Sequence, residues 1–87
     1  MPQFNLHLVA RNTPGCLERI LNTSRVRGFE ITNFSAKLDH NERYYQIDLA
    51  VNSQRSQQLL IMQLAKQYDI RELAPVKMKR TIRSAAV

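Results

Sequence analysis

Eighty-seven residues, 44% of them apolar, suffice for one small folded domain with a single thin core and leave no room for a second. The net charge of +6 is unevenly spread: Lys77, Lys79, Arg80 and Arg83 fall near the end with no acid among them, and the rest holds nine basic against seven acidic side chains. No stretch approaches the roughly 18 apolar residues of a membrane span, the opening residues lack the basic and apolar parts of a signal peptide, and the one cysteine, Cys16, excludes an internal disulfide, which fits the cytoplasm.

Residues 3–9 alternate, with Phe4, Leu6 and Leu8 on one face and Gln3, Asn5 and His7 on the other, which predicts a half-buried strand. Residues 11–15 break it. Thr13 suits a helix N-cap and Pro14 the first helical position; the helix should run to about Val26 on a stripe of Leu17, Ile20 and Leu21, with Gly28 as its left-handed terminator. Residues 29–38 form a second strand whose phase slips. Phe29 and Ile31 share one parity while Phe34, Ala36 and Leu38 share the other, so a bulge is expected near Asn33. Residues 39–43 are a polar hairpin connection. Tyr45, Ile47, Leu49 and Val51 then alternate with Tyr44, Gln46 and Asp48 in a third strand. Ser53 is expected to cap a second helix, about 54–67, with Leu60, Ile61, Leu64 and then Tyr68 on its core face. Residues 69–76 make a fourth strand, and Pro75 points to a sheet edge or strand end. The order β-α-β-β-α-β predicts an α+β, ferredoxin-like fold, a four-stranded antiparallel sheet with two helices on one face, over residues 1–76, followed by a basic tail at 77–87.

Reactive groups are few. His7 lies on a polar strand face and His40 in a turn, and neither has metal-ligand spacing with Cys16. Cys16 sits in the first turn of a helix, where a thiol pKa can fall, but no base is suggested beside it, and it reads as a packing residue. No Walker loop, dinucleotide fingerprint, nucleophile elbow or paired carboxylate motif occurs, so no catalytic residue and no metal ligand is assigned. For nucleic acid, only Tyr44 offers a stacking platform on the sheet, and the basic tail reads as a solvated end or a dock for an acidic partner. The loop at 12–15 enters a helix N-terminus, where free N–H groups can hold a carboxylate; Gly15 admits a close ligand and Asn12 offers an amide. The plain alternative is a cap and turn. On the second helix, Leu59 and Met62 point away from Leu60, Ile61 and Leu64, as a candidate partner contact or as ordinary surface residues.

Asn12-Thr13-Pro14-Gly15-Cys16-Leu17-Glu18-Arg19-Ile20, followed by Arg27-Gly28-Phe29, resembles the start of an ACT domain, and more narrowly the regulatory small subunits of acetolactate synthase. Ser53-Gln54-Arg55-Ser56, then Leu59-Leu60, Gln63-Leu64 and Tyr68-Asp69-Ile70, fits the second half of the same domain, so the resemblance spans about residues 3–76. Most such subunits carry a second domain; the length here is similar to the short isozyme II type.

The resemblance implies a catalytic large subunit holding thiamine diphosphate, Mg²⁺ and FAD. That subunit joins two pyruvates, or pyruvate and 2-oxobutyrate, in valine, leucine and isoleucine synthesis. The small subunit would hold no cofactor and raise the activity of the large one. It also implies a homodimer with branched-chain amino-acid sites at its interface. The family's ligand loop matches Asn12 and Gly15, with Thr13 between them. The Asn that the family places after Arg-Gly-aromatic is Glu30 here, whose carboxylate would repel that of an amino acid unless it meets the ammonium. The expected function is therefore a non-catalytic activating subunit. The alternatives are a free-standing ACT-type amino-acid sensor and, further off, a small nucleic-acid-binding protein using residues 77–87.

Overall fold

The alternation at the start of the chain becomes β1 (Gln3–Arg11) in the computed structural model, which describes residues 2–76. Then come α1 (Cys16–Val26), β2 (Glu30–Leu38), β3 (Tyr44–Asn52), α2 (Gln57–Ala65) and β4 (Ile70–Val76). The expected basic tail lies outside the described residues. The strands form one sheet in the order β2-β3-β1-β4, every neighbouring pair antiparallel. Leu6, Leu8 and Ala10 of β1 and Ile47, Leu49 and Val51 of β3 share a face, and Ile20 of α1 and Leu60 and Leu64 of α2 cover it to make a single buried core. Each such large side chain contributes about 1.5–3 kcal/mol through burial. The helices occupy that face alone, as the ferredoxin-like expectation requires, and the other face carries the polar parity, including His7, Gln46 and Asp48.

The phase slip in β2 is a real irregularity. The β2–β3 register shifts between Ile31 and Asn33, so Thr32 is left over and both Ile31 and Phe34 pack on the core. The Thr32 hydroxyl donates to the Ala50 carbonyl at 3.2 Å. Gly28 ends α1 as expected. At φ +89° its N–H donates to Arg25 O (3.1 Å), and that of Phe29 donates to Ser24 O (3.0 Å). These two bonds satisfy the Ser24 and Arg25 carbonyls of the last turn and direct Phe29 into the core.

Four local expectations fail. β1 does not break before Arg11; Ala10 and Arg11 still pair with Tyr45 and Tyr44. Neither Thr13 nor Pro14 starts α1: the N-cap is Gly15 at φ +78°, with no side-chain cap, because the Thr13 hydroxyl is drawn elsewhere. Ser53 does not cap α2. Its buried hydroxyl donates to Gly28 O and accepts from Arg55 N–H, both at 2.9 Å, while Ser56 caps the helix by accepting from Gln58 N–H at 3.1 Å. α2 is consequently shorter than the predicted 54–67, and Tyr68 lies past its end, 76% exposed rather than in the core. Among the described residues, no helix is long and apolar enough to cross a membrane.

Candidate functional site

The loop between β1 and α1 is built from three distant stretches of chain. Arg11 N–H donates to Asp69 O (2.8 Å) ahead of β4, and Asn12 N–H donates to Arg43 O (2.9 Å) in the β2–β3 hairpin. The Asn12 side-chain amide donates to Glu42 O at 3.0 Å. The Thr13 hydroxyl donates to Asp69 Oδ1 at 2.9 Å and accepts from Arg19 Nη2 at 3.3 Å. Arg19 reaches back one turn along α1, bonding Pro14 O through Nη1 at 3.2 Å and pairing with Asp69 Oδ2. The first helical amide, Cys16 N–H, is already donated to Thr13 O at 3.1 Å.

Asp69 anchors this arrangement. Its burial opposes ionisation, yet the hydrogen bonds from Arg19 and Thr13 outweigh burial and hold its carboxyl below the ordinary range. The same pairing raises the Arg19 pKa. A Cβ added at Gly15 would stand 3.1 Å from Arg19 Nη1, so the guanidinium lies over the glycine where a ligand would approach. Of the expected ligand groups, Asn12 and Thr13 are therefore engaged within the chain and Gly15 is covered.

An open cleft of about 440 Å³ borders the outer side of this loop, lined by Arg11, Asn12, Thr13, Glu42, Arg43 and Tyr44. Arg71 donates to the Tyr44 hydroxyl at 2.8 Å, its guanidinium carbon 5.3 Å from the ring centroid. The ring singled out as a stacking platform is thus partly taken by a cation.

Glu30 is not part of this constellation within one chain. It pairs with Asn52, which faces Gln3, while Asn12 follows Arg11 at the other end of β1. Eight residues of strand, about 26 Å, separate the two ends. Leu59 also needs correction as an exposed partner contact: it is half-buried against the core. Met62 does face outward, 53% exposed, and Val26 at the end of α1 is 77% exposed, a residue that the helical pattern did not single out.

Two features escaped sequence reasoning. Arg19 and Asp69 are 50 residues apart, and no spacing rule joins them. The second is on the open sheet face, where His7 Nδ1 meets Asp48 Oδ1 at 2.9 Å and Nε2 meets Gln46 Oε1 at 3.0 Å. The Asp48 bond raises the His7 pKa, against the lowering effect of burial. Both nitrogens have partners and no nucleophile is among them. Cys16 is buried. Among the described residues, no three of His, Cys, Asp and Glu converge as metal ligands would.

Residues 12–73 match the model of a family described as the ACT domain. The chain is 35% identical to the acetolactate synthase isozyme 2 small subunit of Escherichia coli K12 over 74 residues, 85% of each chain. The corresponding subunit of Shigella flexneri gives the same identity and the same coverage of 85% of each chain. The fold is similar to that of the acetolactate synthase small subunit of Thermotoga maritima, with a TM-score of 0.77 and 15% identity. That match covers 90% of this chain and 49% of the Thermotoga chain, so this chain spans about half its length. The ACT domain of GTP pyrophosphokinase from Chlorobium tepidum is also similar (TM-score 0.71, 12% identity, 85% of this chain and 96% of that one).

Proposed function

The chain belongs to the ACT domain family, among the regulatory small subunits of acetolactate synthase, and on that premise we propose that it activates its enzyme without sensing an amino acid. As a regulatory subunit it performs no catalysis itself. It associates with the catalytic large subunit and raises its activity by binding an active arrangement better than inactive ones. A tenfold activation needs a preference of only about 1.4 kcal/mol between the two arrangements. Thiamine diphosphate, Mg²⁺ and FAD belong to the large subunit in this reading. Two copies of the chain pair side by side in the cytoplasm, with residues 1–76 as the ACT domain and 77–87 trailing it. Met62 is the apolar contact offered to the large subunit.

One observation carries the non-sensing part. Asn12 and Thr13 already hold Glu42 and Asp69, and the Arg19 guanidinium lies over Gly15. An incoming amino-acid carboxylate would compete with these bonds for the same groups. Glu30 could reach such a site only from a second copy, and it would bring a negative charge with it.

Two measurements test the reading. Adding the full chain to purified large subunit should raise acetolactate formation several-fold, and no change in rate, with no complex formed, sinks activation. Calorimetric titration of the complex with valine, leucine and isoleucine should be flat. Saturable heat that disappears in Asn12→Ala would establish the ACT-type sensor instead.

A further inference from the structure

The outer surface of the helical layer is not the polar surface that two amphipathic helices normally present to water. Of the four large apolar residues that stand exposed among the described ones, Val26 ends α1 and Met62 lies on α2. Between the helices runs a groove of about 280 Å³, walled by Val26 and Arg27 on one side and by Gln63 and Lys66 on the other. Met62 lies outside the lining itself, one helical turn before Lys66 on the exposed side of α2, and so stands at the rim of the groove. Gln67 fixes the floor, its amide donating to Arg19 O at 3.3 Å and to the Thr23 hydroxyl at 2.7 Å.

The charge around this groove has one sign. Arg27 and Lys66 line it, Arg25 lies in the last turn of α1, and among the described residues no carboxylate lines it. α2 contains no acid, and the single acid of α1, Glu18, lies two turns away from Val26. This pattern argues against two occupants. The chain's own terminal segment carries Lys77, Lys79, Arg80 and Arg83 without an acid, and would bring like charge to Arg27 and Lys66. A second copy seated face to face on the same groove would set these cations against themselves.

Resting on the activating reading above, we propose that this groove seats an acidic amphipathic segment of the catalytic large subunit. One apolar side chain of that segment lies between Val26 and Met62, and flanking carboxylates meet Arg27 and Lys66, in the manner of a helix or extended segment laid into a two-helix groove. The cations steer and orient the segment, and the apolar lips supply the burial.

The test titrates purified large subunit with the full chain carrying Met62→Glu and Lys66→Glu together, and separately with Arg27→Glu on the opposite wall. All three side chains face solvent, so the thermal midpoint of the chain alone should hold, and it is measured alongside. The double variant should bind about 30-fold more weakly, Arg27→Glu should weaken binding in the same direction, and Lys37→Glu on β2 should leave it within about threefold. Unchanged affinity in the double variant or in Arg27→Glu overturns the proposal. A fall from dimer to monomer in the double variant also overturns it, by assigning the groove to self-association. Absence of any complex with the unmodified chain overturns the activating reading itself and this proposal with it.

Discussion

Asp69 joins parts of the chain that sequence spacing keeps apart. Its two carboxylate oxygens hold Thr13 of the β1–α1 loop and Arg19 of α1, and its backbone carbonyl holds Arg11. Because the folded pKa of this group is depressed, its contribution to stability is complete above the ordinary value of 3.8 and is lost as pH falls through the lower folded value. Urea unfolding followed from pH 7 to pH 2 should therefore show an acid limb that flattens in Asp69→Asn; an unaltered limb would assign it to other carboxylates. Gly28 poses the opposite case, a residue whose role was plain from the sequence. Its φ of +89° is expensive for any residue with a Cβ, and Arg55 Nε lies 3.0 Å from where that atom would stand. Gly28→Ala should cost about 1–2 kcal/mol, read as a lower denaturant midpoint at constant slope. The difference between the two residues is physical. A glycine after an amphipathic stretch acts on its own helix, whereas an aspartate between a helix and a strand acquires its meaning only when the chain folds back across a separation of 50 positions.

The strands and helices followed from periodicity, and their ends did not. Alternation in β3 and the parity slip in β2 report which side chains must reach the core, so burial enforces them and the bulge appears at Thr32, beside the expected position. Caps are decided by competition among hydrogen bonds. Ser53 and Ser56 have the same hydroxyl and the same propensity to start a helix. Ser53 is buried, where its hydroxyl finds the otherwise unserved Gly28 carbonyl and a local bond from Arg55 N–H, and so α2 starts three residues later at Ser56. Thr13 is lost as a cap for the same reason, to Asp69. Equilibrium unfolding can rank these roles. Ser56→Ala should cost about 1 kcal/mol as the loss of a solvent-facing cap. Ser53→Ala should cost more, about 1–3 kcal/mol, because it strands a part-buried carbonyl and a backbone N–H. The reverse order would restore Ser53 as the helix cap.

At the scale of the whole molecule, the described part is a slab 37 × 31 × 17 Å, with helices over one sheet face and a polar opposite face. One thin core in a chain of 87 residues leaves little margin of stability, and a partner that binds only the folded domain supplies more. This separates two ways of joining the large subunit that binding strength alone cannot distinguish. A partner that grips the folded helical layer binds the native state and not the unfolded one. At a large-subunit concentration about 100 times Kd it should stabilise the chain by about 2.7 kcal/mol. A partner that reads residues 77–87 by their sequence alone would bind folded and unfolded chains alike and stabilise neither. Hydrogen exchange reads the difference directly. The amides of Leu8, Ile47 and Leu49, on the two central strands beneath the helices, should exchange through global opening. In the complex their exchange should slow about 100-fold if the folded layer is the docking surface. If the complex forms and these amides exchange at the free-chain rate, the contact lies in the terminal segment, and the groove between α1 and α2 has no part in activation.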